Sequence, residues 1–270
     1  MNNIFAVISI TFKEGLRQRI LYGVIISALF VMFFAVLFSG WFMRDISKII
    51  LDFCLSAVSV GGLLIPFFLA VNLLSKDIER KTIYAILAKP ISRTQYILGK
   101  FGGLIALAAV VMSILSASSL VSVWIGKLLY GARFFTDFSL LAFTQAVLMS
   151  WLSVAVLIAL VVVWCCVTTS AFLATLLTLF TYIIGQTIDD VVRFLSVDTV
   201  GVEISATVEK TVQVVKYIFP NLAVFDLKLQ AAHNVILPFG EFTTIGMYGV
   251  CYCIVALSLA VLIFQKRDLA

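Results

Sequence analysis

Between Phe138 and Ile188 the chain runs for 51 residues without an aspartate, glutamate, lysine or arginine. A membrane-crossing helix needs roughly 20 apolar residues to span about 30 Å of hydrocarbon. As one helix this run would reach about 76 Å, so it must fold back on itself. The polar triplet Thr168-Thr169-Ser170, just after Cys165-Cys166, is the expected turn. Four more charge-free runs surround it: Ile20–Met43, Phe53–Ser75, Phe101–Gly126 and Phe242–Gln265. The sequence therefore predicts an all-α integral membrane protein with six transmembrane helices, at about 20–43, 53–75, 101–126, 139–164, 168–188 and 242–264. No internal repeat or soluble linker divides it, so residues 1–270 are expected to form a single membrane domain.

Composition removes the alternatives. Apolar and aromatic residues make up 63% and charged residues 12%, against about 45–50% and about 25% in soluble domains. A water-soluble enzyme, a disordered chain and a nucleic-acid-binding domain are all excluded. The net charge of +5 reads as membrane orientation. With six spans both termini share a side. That side carries Lys13, Arg17, Arg19, the Lys76–Lys100 loop, Lys266 and Arg267, and it is expected to be cytoplasmic. The N-terminus has no charged segment followed by a small-residue cleavage site, so no cleavable leader is expected.

Three segments lie outside the spans. In residues 1–19, Ile4, Ile8, Phe12 and Leu16 form an apolar stripe, with Lys13, Glu14 and Arg17 largely elsewhere. This predicts an amphipathic helix at the headgroup level, either a plain anchor or part of a docking surface. The Lys76–Lys100 loop carries six basic and two acidic residues among Ile78, Ile83, Ile86, Leu87 and Ile91. A short helix over 77–88 is expected, stopped by Pro90, and it could fill a groove on another protein. Residues 189–241 form a long external segment in which Val208, Val212, Val215 and Phe219 suggest an interfacial or re-entrant helix ending near Pro220-Asn221.

Catalytic motifs are missing. No G-x-x-x-x-G-K-[ST] loop or G-x-G-x-x-G turn is present, so any ATP hydrolysis must reside on another chain. Asp189-Asp190 suggests the acidic pair of membrane prenyl-transfer enzymes, but the sequence reads DDVVR, with no third acid at the expected position. Cys54, Cys165, Cys166, Cys251 and Cys253 match no disulfide or zinc spacing, and His233 stands alone; no metal site is expected. Within the spans, Asn72 and Gln145 are the polar candidates, either joining helices or lining a substrate path.

The run DIERKTIYAILAKPISRTQYILGK resembles the loop between the second and third spans of ABC-2 type ABC transporter permeases. The matching positions are Glu79, Thr82, Pro90, Ile91, Ser92, Arg93, Gly99 and Lys100; Lys81 stands where the family often has glycine. FKEGLRQR around Lys13-Glu14 resembles the family's elbow helix, and FQKRDL resembles its usual ending. Size and motif style are similar to the branch that includes permeases for multicopper-enzyme maturation. The resemblance implies a transmembrane subunit, not an enzyme, that carries no cofactor itself. It implies a partner ATP-binding subunit holding ATP and Mg, a second permease copy (homodimer or heterodimer), and a place in the cell membrane. The ATPase-coupling loop would then include Asp77, Glu79, Arg80, Lys81, Thr82, Pro90, Ser92 and Arg93. Export is the family's tendency. A stand-alone lipid-modifying enzyme and a non-transporting assembly protein are the alternatives.

Overall fold

The computed structural model describes residues 2–41, 46–79, 91–135, 138–196 and 206–266. Its elements are helical, with no strand among the described residues. In chain order they are α1 (Asn2–Leu16), α2 (Arg19–Ser39), α3 (Ile46–Glu79), α4 (Arg93–Tyr130), α5 (Leu140–Val167), α6 (Ala171–Ser196), α7 (Ala206–Ile218), α8 (Lys228–Ala232) and α9 (Phe239–Lys266). Short 3₁₀ turns cover Ala132–Phe135 and Ala223–Phe225. Six of the helices, α2 to α6 and α9, are long and apolar enough to cross a membrane. This is the all-α membrane architecture read from the sequence.

The helices outrun the charge-free segments. α3 has 34 residues and α4 has 38, about 51 and 57 Å of helix, well beyond the hydrocarbon. A charge-free window stops at the first Lys or Asp, whereas the backbone hydrogen-bond ladder continues past Lys48, Asp52, Lys76, Lys100 and Lys127. α3 and α4 therefore extend past the predicted spans of 53–75 and 101–126 at both ends. The separate helix predicted over 77–88 begins inside α3, which continues through Glu79; the rest of it lies outside the described residues.

α5 is the axis of the bundle. Its residues Val154–Val162 are buried without interruption, so it is enclosed on every side, packing against α3, α4, α6 and α9. It starts at Ser139, whose hydroxyl accepts from the Ala142 N–H at 3.3 Å, and closes at Thr168, whose hydroxyl donates to the Trp164 carbonyl at 2.8 Å. Residues 168–170 then turn the chain into α6. By contrast α2 exposes Phe30, Phe33 and Phe38, and Trp41 just past its end is exposed too. In lipid, tail contact offers no hydrophobic gain between helices, so close packing at small residues has to hold them together. Gly62 meets Met112, and Gly126 meets Ile50, closely enough that an added Cβ would collide at 2.8 and 2.6 Å.

Residues 219–238 turn back into the bundle on the face opposite the termini. The Leu222 N–H donates to the Gly185 carbonyl of α6 at 2.8 Å. A Cβ on Gly185 would sit 2.6 Å from the Pro220 carbonyl oxygen, so glycine is what lets the backbone approach. Leu222, Phe225, Leu227, Ala231 and Ala232 are buried. From α9, the Tyr252 hydroxyl donates to Ile218 O at 3.1 Å and the Tyr248 hydroxyl accepts from Asn221 N at 2.9 Å.

Candidate functional site

Two sites stand out, one at each face. On the termini face, α4 begins with a capping box. The Ser92 hydroxyl accepts from the Gln95 N–H and the Gln95 side chain accepts from the Ser92 N–H, both at 3.2 Å. This satisfies donors that a helix start leaves open. One residue on, Arg93 Nη1 donates to the carbonyls of Phe264 at 3.1 Å and Gln265 at 2.9 Å. These are terminal carbonyls of α9, where the helix dipole favours a cation. Arg93 also lies 5.9 Å over the Phe264 ring, and Tyr96 stacks on that ring at 6.0 Å. Gln265 Nε2 donates to the Thr94 hydroxyl at 3.2 Å. The start of the third span is thus fastened to the end of the sixth.

The next turns of α4 receive α1. Gly99 and Gly103 let the two backbones close in: an added Cβ would lie 2.6 Å from Val7 Cβ and 2.9 Å from Ile8 O, respectively. Val7, Thr11 and Gly15 are the buried positions of α1. The face that packs on α4 is therefore one of small residues beside the Ile4–Leu16 stripe, which reads more strongly in sequence because it is more apolar. Lys100, only 3% exposed, meets Glu14 at 3.7 Å and lies 5.8 Å over the Tyr96 ring. Lys13 and Arg17 point outward.

On the opposite half of the bundle is a cavity of about 470 Å³. Ser59 of α3 and Ser150 and Ser153 of α5 form one wall, and Tyr182, Gln186 and Thr187 of α6 another. Val60, Leu63, Leu64 and Val154 supply the apolar part, and Leu222, Phe225, Asp226 and Lys228 of the re-entrant segment close it. Asp226 Oδ2 and Lys228 Nζ are 3.0 Å apart. Asp226 Oδ1 also accepts from the Lys228 N–H at 3.2 Å, which fixes the carboxylate. The site has the size and mixed lining of a ligand pocket and presents donors, acceptors and one charge of each sign.

The sequence-predicted residues divide between these places. Ser92, Arg93 and Glu14 take part in the contacts of the termini face. Asp77 and Glu79 lie on the last turns of α3; Arg80, Lys81, Thr82 and Pro90 fall outside the described residues. Neither polar candidate of the spans reaches the cavity. Asn72 Nδ2 donates to Phe68 O at 2.8 Å within its own helix. Gln145 clamps the approach to α9, donating to Leu237 O and accepting from Leu237 N, both at 3.1 Å. Asp189 and Asp190 sit near the end of α6, and among the described residues no three His, Cys, Asp or Glu groups gather as a metal site. Sequence reasoning missed the cavity residues. The available signal was spacing: Ser150 with Ser153, and Tyr182 with Gln186, each one turn apart on one helix face.

A polytopic bundle with a mixed polar cavity and long helices meeting on the termini face is the frame of a membrane permease. The family model described as ABC-2 family transporter protein matches residues 5–269, and the chain belongs to that family. It is the transmembrane permease of an ABC transporter and not itself catalytic, and the family works with an ABC ATP-binding subunit. No curated protein matches the chain.

Proposed function

We propose that this chain forms the substrate path of an ATP-driven exporter in the cell membrane, with both termini cytoplasmic. It pairs with a second copy of itself and receives a separate ATP-binding subunit, the holder of ATP and Mg, on the loop between α3 and α4. The observation that carries the reading is the Arg93 contact with Phe264 and Gln265. The loop emerges between the end of α3 and a turn of α4 that also grips α9 and, through Lys100, α1. A displacement of this loop would therefore bear on four helices at once.

The test is co-expression with a candidate ATP-binding subunit, followed by purification and measurement of ATPase activity. The wild-type chain is expected to capture the subunit. A variant with residues 77–88 replaced by a neutral linker of equal length should lose both capture and stimulation. Full assembly and activity in that variant would overturn the reading. Sedimentation of the assembled complex then distinguishes two identical permease copies from two different ones.

A further inference from the structure

We infer that the cavity binds a small zwitterion of the α-amino-acid type with a large apolar side chain, held inside one chain at mid-membrane depth. The first observation is depth. Ser150 and Ser153 stand about 15 and 20 Å along α5 from its start at Leu140, and α5 is about 42 Å long. Gln186 and Tyr182 stand about 15 and 21 Å before the end of α6 at Ser196. The re-entrant segment reaches the same level. Phe225 stacks on Tyr248 at 6.0 Å, and Tyr248 lies about 14 Å into α9 from Phe239. Asp226 follows Phe225 directly, and it lines the cavity with Lys228. Ionisable groups carried that far into a bilayer mark a path for a ligand or ion. Non-helical backbone is tolerated at such depth where it is buried in protein or lines a cavity.

The second observation is charge. Lys228 Nζ and Asp226 Oδ2 stand 3.0 Å apart, with side chains 22% and 40% exposed. The pair carries no net charge. An anion drawn to Lys228 is repelled by Asp226 from nearly the same distance, and a cation meets the reverse. A ligand that holds both charges close together gains from both. In an α-amino acid the ammonium nitrogen and the carboxylate carbon flank one Cα, about 2.5 Å apart, the same compact scale as the protein's pair. The two pairs then lie head to tail, each charge beside its opposite.

The third observation is the rest of the lining. Leu63, Leu64, Val154 and Phe225 line the same space, so an aliphatic or aromatic side chain meets apolar surface there. Ser150, Ser153 and Gln186 supply further hydrogen bonds where water is scarce. The volume of about 470 Å³ admits one amino acid with an aromatic ring.

Binding needs neither ATP nor a second protein, so this proposal can fail while the exporter reading stands, and the reverse. The full chain, purified in detergent, is tested for binding of radiolabelled L-phenylalanine by equilibrium dialysis, and saturable binding is expected. 2-Phenylethylamine lacks the carboxylate and 3-phenylpropanoate lacks the ammonium. Each should compete about tenfold less well than phenylalanine, the scale of one hydrogen bond to a charged group. Asp226→Asn should bring 3-phenylpropanoate ahead of phenylalanine, and Lys228→Gln should bring 2-phenylethylamine ahead. Should either charge variant fail to fold, the wild-type order alone decides. Ser153→Leu, which fills the cavity, should lower binding about tenfold; if it fails to give a monodisperse protein, Gln186→Leu on the other wall serves instead. Absence of saturable binding to the wild type would overturn the proposal, as would equal competition by the three compounds. Uniform loss of all three in the charge variants would mark a merely structural ion pair and overturn it too, as would unchanged binding in the filled variant.

Discussion

Arg93, the first residue of α4, donates to the carbonyl of Gln265, the penultimate residue of α9, at 2.9 Å. The two are 172 positions apart in sequence, and the contact joins the third span to the sixth on the face where the α3–α4 loop emerges. Arg93→Ala removes this bond and the companion bond to Phe264. It should destabilise the chain by about 1–3 kcal/mol, read as a lower thermal midpoint of tryptophan fluorescence in detergent. Arg93→Lys should fall between the two, since an ammonium keeps the charge but not the planar guanidinium, whose Nη1 donates to both carbonyls while the group lies over the Phe264 ring.

The glycines of α4 make a second test. Gly103→Val places a side chain where Thr11 Cβ and Ile8 O already stand within 2.9 Å. Overpacking of this kind costs about 1–3 kcal/mol, and here it should also free α1 for proteolysis. Gly23→Ala, inside α2, is the control. Nothing lies within 4 Å of its added Cβ, and a helical glycine gains about 0.5–1 kcal/mol on replacement by alanine. Limited proteolysis and thermal midpoints of the two variants should move in opposite directions.

Gln145→Leu keeps the volume but leaves both backbone groups of Leu237 without their partner. The expected cost is about 2 kcal/mol. Amide exchange at Leu237 should accelerate, while amides in the middle of α5, such as Ile158, should be unaffected.

Glu14 and Lys100 form a coupled pair whose lysine is shielded from water. Glu14→Gln leaves that ammonium less well compensated, and Lys100→Met removes it. A double-mutant cycle should give a coupling of about 1 kcal/mol, measured from denaturation midpoints. Because the lysine is buried, added salt should change this coupling little.

Much of the fold was legible because a bilayer demands long charge-free runs, and Phe138–Ile188 is too long to be one. Its break at Thr168-Thr169-Ser170 follows from chain length and from the triplet's polarity. The ends of α3 and α4 were not legible, since helix hydrogen bonding is indifferent to the charges of Lys76 or Lys100. The cavity was hidden for another reason. Ser59, Ser150 and Gln186 come from three helices, and Asp226 from a loop, so only packing brings them together. Arg93 shows a further limit. A motif marks a position, but not whether its side chain turns toward a neighbouring helix or another molecule. Gln145 likewise carried a polar signal that fits a clamp as well as a pathway.

The three-residue turn between α5 and α6 has a consequence for how the chain is made. The most apolar 18-residue stretch of α5 has a mean hydropathy of 2.8, against 1.7 for that of α6, which carries Tyr182, Gln186 and four threonines along its length. Synthesis delivers the more apolar helix first. α5 can settle in lipid unaided, and α6 then follows on a tether too short to let it drift. Its polar groups find the flank of α5 at once: Trp164 Nε1 donates to the Thr181 hydroxyl at 3.1 Å. The order of the two helices thus guards the more polar one during insertion, and exchanging them would expose it to the bilayer alone.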